Sequence, residues 1–145
     1  FAAMPFRGAY NASKFAMEGM ADTLRLELVG TGIEVALIEP GPIISRFRAN
    51  AAAQFHKYIT ATSSVHHQAY AAMQARLEKV GPAAPFTLPP EAVLQAVIHA
   101  LESRRPHARY RVTTPTKLFA VAKRLLSTRL LDKLLLLSVR DERQR

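Results

Sequence analysis

Two residues four positions apart, Tyr10 and Lys14, carry the most suggestive chemistry in this chain. They fall in a stretch of helical periodicity, so they share one face with their Cβ atoms about 5 to 6 Å apart. A cation beside a phenol stabilises the phenolate and draws a pKa of about 10 toward the working range of a general acid or base. Lys14 also brings three N–H donors, which suit sugar hydroxyls. A competing explanation is simpler: Lys14 pairs with Glu18 on an exposed stripe that runs on to Asp22. Lys before Glu is, however, the weaker orientation at that spacing.

The elements that must position this pair can be read around it. Ala12, Ala16, Met20 and Leu24 recur every fourth position between Gly8 and Leu28, with charge on the other side, which predicts an amphipathic helix. Gly30-Thr31-Gly32 ends it, because glycine enters the left-handed region without steric cost. Residues 33–38 read IEVALI, short, mostly apolar and rich in β-branched residues, as an interior parallel strand does, and Pro40-Gly41-Pro42 closes that strand. About 20 helical residues span about 30 Å and about seven strand residues about 23 Å. A strand sent back along the helix therefore brings its carboxyl end to the helix N-terminus, beside Tyr10 and Lys14. The turn from Pro40 to Ser45 lies there, at the edge where open α/β sheets bind ligands.

Farther along, helices are predicted in the alanine-rich stretch after residue 43 and from Val65 to Val80, where Gly81-Pro82 stops the pattern. Pro89-Pro90 starts another, with apolar positions Val93, Leu94, Val97, Ile98 and Leu101. Arg109 to Thr113 alternates as a strand, and Thr114-Pro115 supplies an N-cap and a first-turn proline for a basic, leucine-rich helix broken at Ser127-Thr128. Helix alternating with strand is the rhythm of a parallel α/β sheet, but two strands make a poor sheet by themselves. The expected fold is therefore the C-terminal half of a Rossmann-type doubly wound parallel sheet. Its N-terminal strands are expected before Phe1, and the chain is read as a piece of something longer.

Composition narrows the classes. The 145 residues are 49% hydrophobic and 21% charged, the balance of a globular protein rather than a disordered one. With no cysteine, thiolate catalysis, disulfide frameworks and zinc ribbons are excluded, and a reducing compartment is the consistent expectation. No metal site is expected either, since adjacent His66 and His67 on a helix point apart. The net charge of +9 concentrates in Arg104, Arg105, Arg109, Arg111, Lys117, Lys123, Arg124 and Arg129, a block with no carboxylate. Such a block either faces water or attracts anions such as lipid headgroups. Nucleic acid is not the expected partner.

Taken together, Tyr10-Asn11-Ala12-Ser13-Lys14 after Pro5-Phe6-Arg7-Gly8-Ala9, then IEVALIEPG and Pro42-Ile43-Ile44-Ser45, resemble the C-terminal half of a short-chain dehydrogenase/reductase. EPGPI and RYRV look most like its retinol and hydroxysteroid dehydrogenase-like branch. The resemblance implies an NAD(P)-dependent oxidoreductase that interconverts a hydrophobic alcohol with its ketone or aldehyde. It makes Tyr10 the proton donor or acceptor, and gives Lys14 the nicotinamide ribose. Pro40 and Gly41 would shape the turn under the nicotinamide, the Ile43 backbone would meet its carboxamide, and Ser45 would stand where the family usually has threonine.

The cofactor would be NAD or NADP, a choice made by residues not among these. The family's catalytic serine and asparagine lie farther upstream than Tyr10's nine predecessors, and no glycine-rich phosphate loop occurs here. The isolated chain is thus expected to be inactive. Residues 1–113 would form the C-terminal part of the Rossmann domain, with the substrate-binding region at 43–88, and 114–145 the basic leucine-rich C-terminal helices. Phe47, Phe55, Tyr58 and Phe86 would either line the pocket or fill the core, and Asp22, Glu27 and Glu34 would be surface charges. The full-length protein is expected to be a cytoplasmic homo-oligomer, with a peripheral membrane contact through the last helices as an open option. The alternative function is a catalytically silent chain that serves only as an association module.

Overall fold

A computed structural model of the chain describes residues 3–82 and 84–138. Its elements, in order, are α1 (Gly8–Glu27), β1 (Leu37–Glu39), α2 (Phe47–Tyr58), a 3₁₀ turn at Ala61–Ser63, α3 (His67–Glu78), α4 (Glu91–Glu102), β2 (Arg109–Arg111), α5 (Thr114–Leu125) and α6 (Thr128–Ser138). The two strands pair in parallel, with Leu37 opposite Arg109, Ile38 opposite Tyr110 and Glu39 opposite Arg111. Mostly helical, with a small parallel sheet whose strands are joined through helices, this is part of an α/β Rossmann-like unit.

Side chains alternate across a strand, so the sheet has two different faces. On one, Tyr110 is buried, its hydroxyl 2.8 Å from Nδ1 of His99 on α4 and accepting the His107 backbone N–H at 2.9 Å. On the other stand Glu39, Arg109 and Arg111, and α1 lies over them. Between the strands, α2 and α3 pack as a pair: Phe55 is buried against the Tyr70 ring at 5.9 Å, His56 Nε2 lies 2.9 Å from a Glu78 carboxylate oxygen, and Arg48 donates to the carbonyls of Lys79 and Gly81.

Several expectations are corrected here. The strand expected at residues 33–38 is only Leu37–Glu39. Strand length is set by the partner, and β2 itself holds just three residues. The N-cap of α5 is Thr113, extended at φ −90°, and not Thr114. The Thr113 hydroxyl is engaged with that of Thr116 at 2.9 Å, and no side-chain cap to a backbone N–H forms. The break at Ser127-Thr128 is present: Leu126 is extended and the Ser127 carbonyl accepts the N–H groups of Leu130 and Leu131.

Lys14 and Glu18 make no ion pair. Asp22 is not a bare surface charge, since it pairs with Arg25 and Arg109. Of the four aromatic residues, Phe55 is core, whereas Phe47, Tyr58 and Phe86 are exposed.

The core is thin. The chain exposes 10797 Å², where a compact monomer of this mass exposes about 7,400 Å². Leucines of the last two helices, Leu118, Leu125, Leu130 and Leu137 among them, are exposed, while Leu135 is buried. No helix among the described residues is long and apolar enough to cross a membrane.

Candidate active site

Tyr10 and Lys14 sit in the first two turns of α1. The helix entrance is fixed by the Asn11 side-chain amide, which donates to the Met4 carbonyl at 2.8 Å, and by the Asn11 N–H on the Arg7 carbonyl at 2.8 Å. Within the helix, the Ser13 hydroxyl donates to the Tyr10 carbonyl at 2.8 Å, so Ser13 serves the backbone. Lys14 folds back over its neighbour, its Nζ 5.6 Å from the Tyr10 ring centroid and 3.7 Å from the Met17 sulfur. A cation at that range is attracted by the ring quadrupole. The Tyr10 side chain is 47% exposed, open to a reacting molecule.

The turn after β1 comes to the same end of α1, with the Tyr10 ring 6.0 Å from that of Phe47, two residues beyond Ser45. Gly41 makes the turn possible. Its φ of +75° belongs to the left-handed region, and a Cβ there would overlap the hydroxyl oxygens of both Thr113 and Thr116. Pro40, by contrast, is exposed.

Beyond the turn, Ile43 bridges Leu88 in parallel: the Ile44 N–H donates to the Leu88 carbonyl at 2.9 Å, and the Leu88 N–H to the Pro42 carbonyl at 3.1 Å. In a parallel bridge the central residue's own N–H and C=O face the opposite side. Ile43 thus offers its backbone polar groups toward the free side of the turn. Ser45 follows, its Oγ accepting the Phe47 N–H at 3.4 Å at the start of α2.

Charge organises the other end of α1. Arg109 reaches Glu18 at 3.3 Å and Glu39 at 2.8 Å through Nη1, and Asp22 at 2.8 Å through Nη2, while Arg111 Nε meets the second oxygen of Glu39 at 3.1 Å. A cavity of about 220 Å³ lies among Glu18, Glu39, Arg109, Arg111, Ala120 and Lys123. The hydrogen bond to Glu39 holds the Arg109 guanidinium above even its ordinary range, against its partial burial. The Asp22 carboxyl is held below its ordinary value, first by the hydrogen bond from Arg25 and, less the effect of desolvation, by that from Arg109. On the same side, Lys123 of α5 stands 4.8 Å over the Phe15 ring.

The structure therefore brings Tyr10 and Lys14 together at the start of α1 and sets the Tyr10 ring beside Phe47, two residues past Ser45. Sequence reasoning missed the Thr113 and Thr116 seat under Gly41, and it treated Arg109 only as one cation of a basic block. A carboxylate ending an apolar strand, as Glu39 does, was the available signal: a buried charge requires a partner. Among the described residues no group of three or more His, Asp or Glu is placed to hold a metal.

Residues 1–55 match the family model described as short chain dehydrogenase. An uncharacterized oxidoreductase of Escherichia coli K12, YbbO, is 46% identical over 131 residues, which are 90% of this chain and 42% of that protein. The NADPH-dependent 3-dehydrocapnine reductase of Ornithobacterium rhinotracheale is 37% identical over 131 residues, 90% of this chain and 44% of its own length. Mouse retinol dehydrogenase 16 is 31% identical over 137 residues, 90% of this chain and 43% of the relative. The chain thus spans less than half the length of these relatives.

Proposed function

The chain belongs to the short-chain dehydrogenase/reductase family, and from that premise we propose that it supplies the proton-transfer pair and the nicotinamide side of an NAD(P)-dependent oxidoreductase acting on a hydrophobic alcohol and its ketone or aldehyde. The observation that carries this is the placement of Tyr10 and Lys14 on one face of α1, with the Tyr10 ring 6.0 Å from that of Phe47, where the chain leaves the turn after β1. The donor set suits the nicotinamide ribose half of a dinucleotide: an ammonium at Lys14, a hydroxyl at Ser45, and backbone groups at Ile43 that face away from Leu88. It does not suit the pyrophosphate half, for which no glycine-rich loop is found in these residues.

The bound dinucleotide supplies hydride chemistry. Tyr10 gives its hydroxyl proton to the carbonyl oxygen in reduction and takes one from the alcohol in oxidation. Lys14 holds the ribose hydroxyls and stabilises the negative charge left on the Tyr10 oxygen. The turn from Pro40 to Ser45 would help hold the nicotinamide end of the dinucleotide. We place the substrate region at 43–88, where exposed Phe47, Tyr58 and Phe86 offer apolar surface, and the C-terminal helices within 114–138; the rest of the stretch expected to 145 lies outside the described residues. Exposed apolar residues of α1, such as Met20 and Leu24, are the proposed contact of a homo-oligomer. Exposed leucines beside the basic groups of α5 and α6 are a proposed contact with anionic membrane.

The test is Tyr10→Phe in the complete protein that carries these residues, assayed by NADH and NADPH oxidation with a panel of aliphatic aldehydes and ketones. Turnover is expected to fall by about 10²- to 10⁴-fold with cofactor affinity nearly intact. Unchanged turnover overturns the assignment.

A further inference from the structure

We infer that Arg109 is a positioning residue for the proposed site: one guanidinium, bonded to two carboxylates of α1 and one of β1, sets the rotation of the helix that presents Tyr10 and Lys14. The inference rests on the function proposed above. Tyr10, Lys14, Glu18 and Asp22 follow one another at four-residue spacing, so they form a single stripe along α1. The proposed site occupies one end of that stripe, and the Arg109 clamp holds the other. At 1.5 Å per residue the clamp begins about 6 Å beyond Lys14 along the axis.

None of α1's residues is buried, so the apolar interlock that normally sets helix orientation is thin there, and among the described residues the Arg109 guanidinium ties two of its carboxylates to the sheet. The guanidinium spans Glu18 and Asp22 with its two terminal nitrogens and shares one of them with Glu39. Glu39 is buried and immediately precedes the Pro40-Gly41 turn. A short chain of bonds therefore runs from the helix stripe through Arg109 to the residue before the turn. Arg111 secures the second oxygen of Glu39 and keeps that anchor in place. Rotation of α1 would carry Tyr10 and Lys14 sideways together, and a misplacement of about 1 Å costs on the order of 10²-fold in rate.

The experiment uses the complete protein. Arg109→Gln leaves buried Glu39 underpaired and can fail to fold, so the deciding variant is Glu18→Gln with Asp22→Asn, which frees α1 and retains both bonds of Glu39. Three readouts apply: NADH and NADPH affinity by titration, the pH–rate profile with the best substrate of the panel, and amide hydrogen exchange across residues 8–20. Dinucleotide affinity is expected to fall about tenfold, kcat/KM by about 10- to 100-fold with a displaced pH inflection, and exchange to rise at least about tenfold. Arg109→Lys should recover only part of the loss, since a point charge cannot bridge both carboxylates as a planar fork does. Exchange unchanged in the double variant overturns the clamp, as does faster exchange with dinucleotide affinity and pH profile within twofold of wild type. If Tyr10→Phe keeps full turnover, the catalytic reading is what fails, and exchange with dinucleotide titration alone judges the clamp.

Discussion

Of the two parts of the proposed site, the turn at Gly41 is held by shape and helix α1 by charge. Under Gly41, Thr113 is fully buried and Thr116 nearly so, and their hydroxyls bond each other at 2.9 Å against the space where a Cβ would stand. Over the sheet, α1 has no buried residue and is tied by Arg109 to Glu39 while its own Glu18 and Asp22 grip the same guanidinium. Steric fit is steep and indifferent to salt; ion pairs are graded and respond to salt and pH. If both belong to the proposed site, the turn is its rigid part and the helix its adjustable one.

The largest effect should come from violating the shape. Gly41→Ala places a methyl into the Thr113 and Thr116 hydroxyls and holds a non-glycine residue at φ +75°, two costs that together reach about 2–4 kcal/mol. The denaturant midpoint should drop accordingly, by the same amount at low and at high salt. A loss below about 0.5 kcal/mol would mean that the corner gives way easily, and the contrast with α1 would vanish.

A smaller effect is expected from Thr116→Val, which keeps the volume but leaves the Thr113 hydroxyl buried without its partner. The expected loss is about 1–3 kcal/mol, read by the same unfolding measurement. If Thr116→Val proves neutral, the hydroxyl pair is dispensable and the seat under Gly41 depends on volume alone.

The two regions also differ in how far the sequence disclosed them. α1 was predicted from Gly8 to Leu28 and spans Gly8–Glu27, because its periodicity is continuous and Gly30, at φ +83°, stops it locally. Helix α4 was equally legible from Pro89-Pro90. Both signals lie within a few residues of what they specify. The strand was overextended because pairing sets its length, and the partner lies about 70 residues away. The N-cap of α5 was misplaced by one residue, since either threonine of the pair at 113 and 114 satisfies the local rule and only the burial of Thr113 beside Thr116 decides.

The candidate site divides the same way. Tyr10 and Lys14 were legible from spacing, Ile43 and Ser45 only through the resemblance. The Arg109 contacts span 70, 87 and 91 residues, where no local pattern reports them. Sequence reasoning instead assigned Glu18 to Lys14, the nearest cation at helical spacing. The folded chain gives Glu18 to Arg109 and leaves Lys14 at the ring of Tyr10.

The smallest expected effect sharpens the charge side of the comparison. The Asp22 carboxyl lies below its ordinary value because it accepts hydrogen bonds first from Arg25 and then from Arg109. A carboxylate whose folded pKa is lowered adds stability above its unfolded value, about 3.9 for Asp, and that contribution disappears as the pH falls through the lowered folded value. Asp22→Asn should therefore unfold at a slightly lower temperature than wild type near neutral pH, by less than Thr116→Val does. The gap should stay constant down to about pH 4 and close in more acidic solution. About 1 M salt, with a screening length near 3 Å, should also shrink it at neutral pH, while the Gly41→Ala deficit keeps its full size. A gap for Asp22→Asn that ignores both pH and salt would mean the side chain acts through packing, and α1 would then be held by the same kind of contact as the turn.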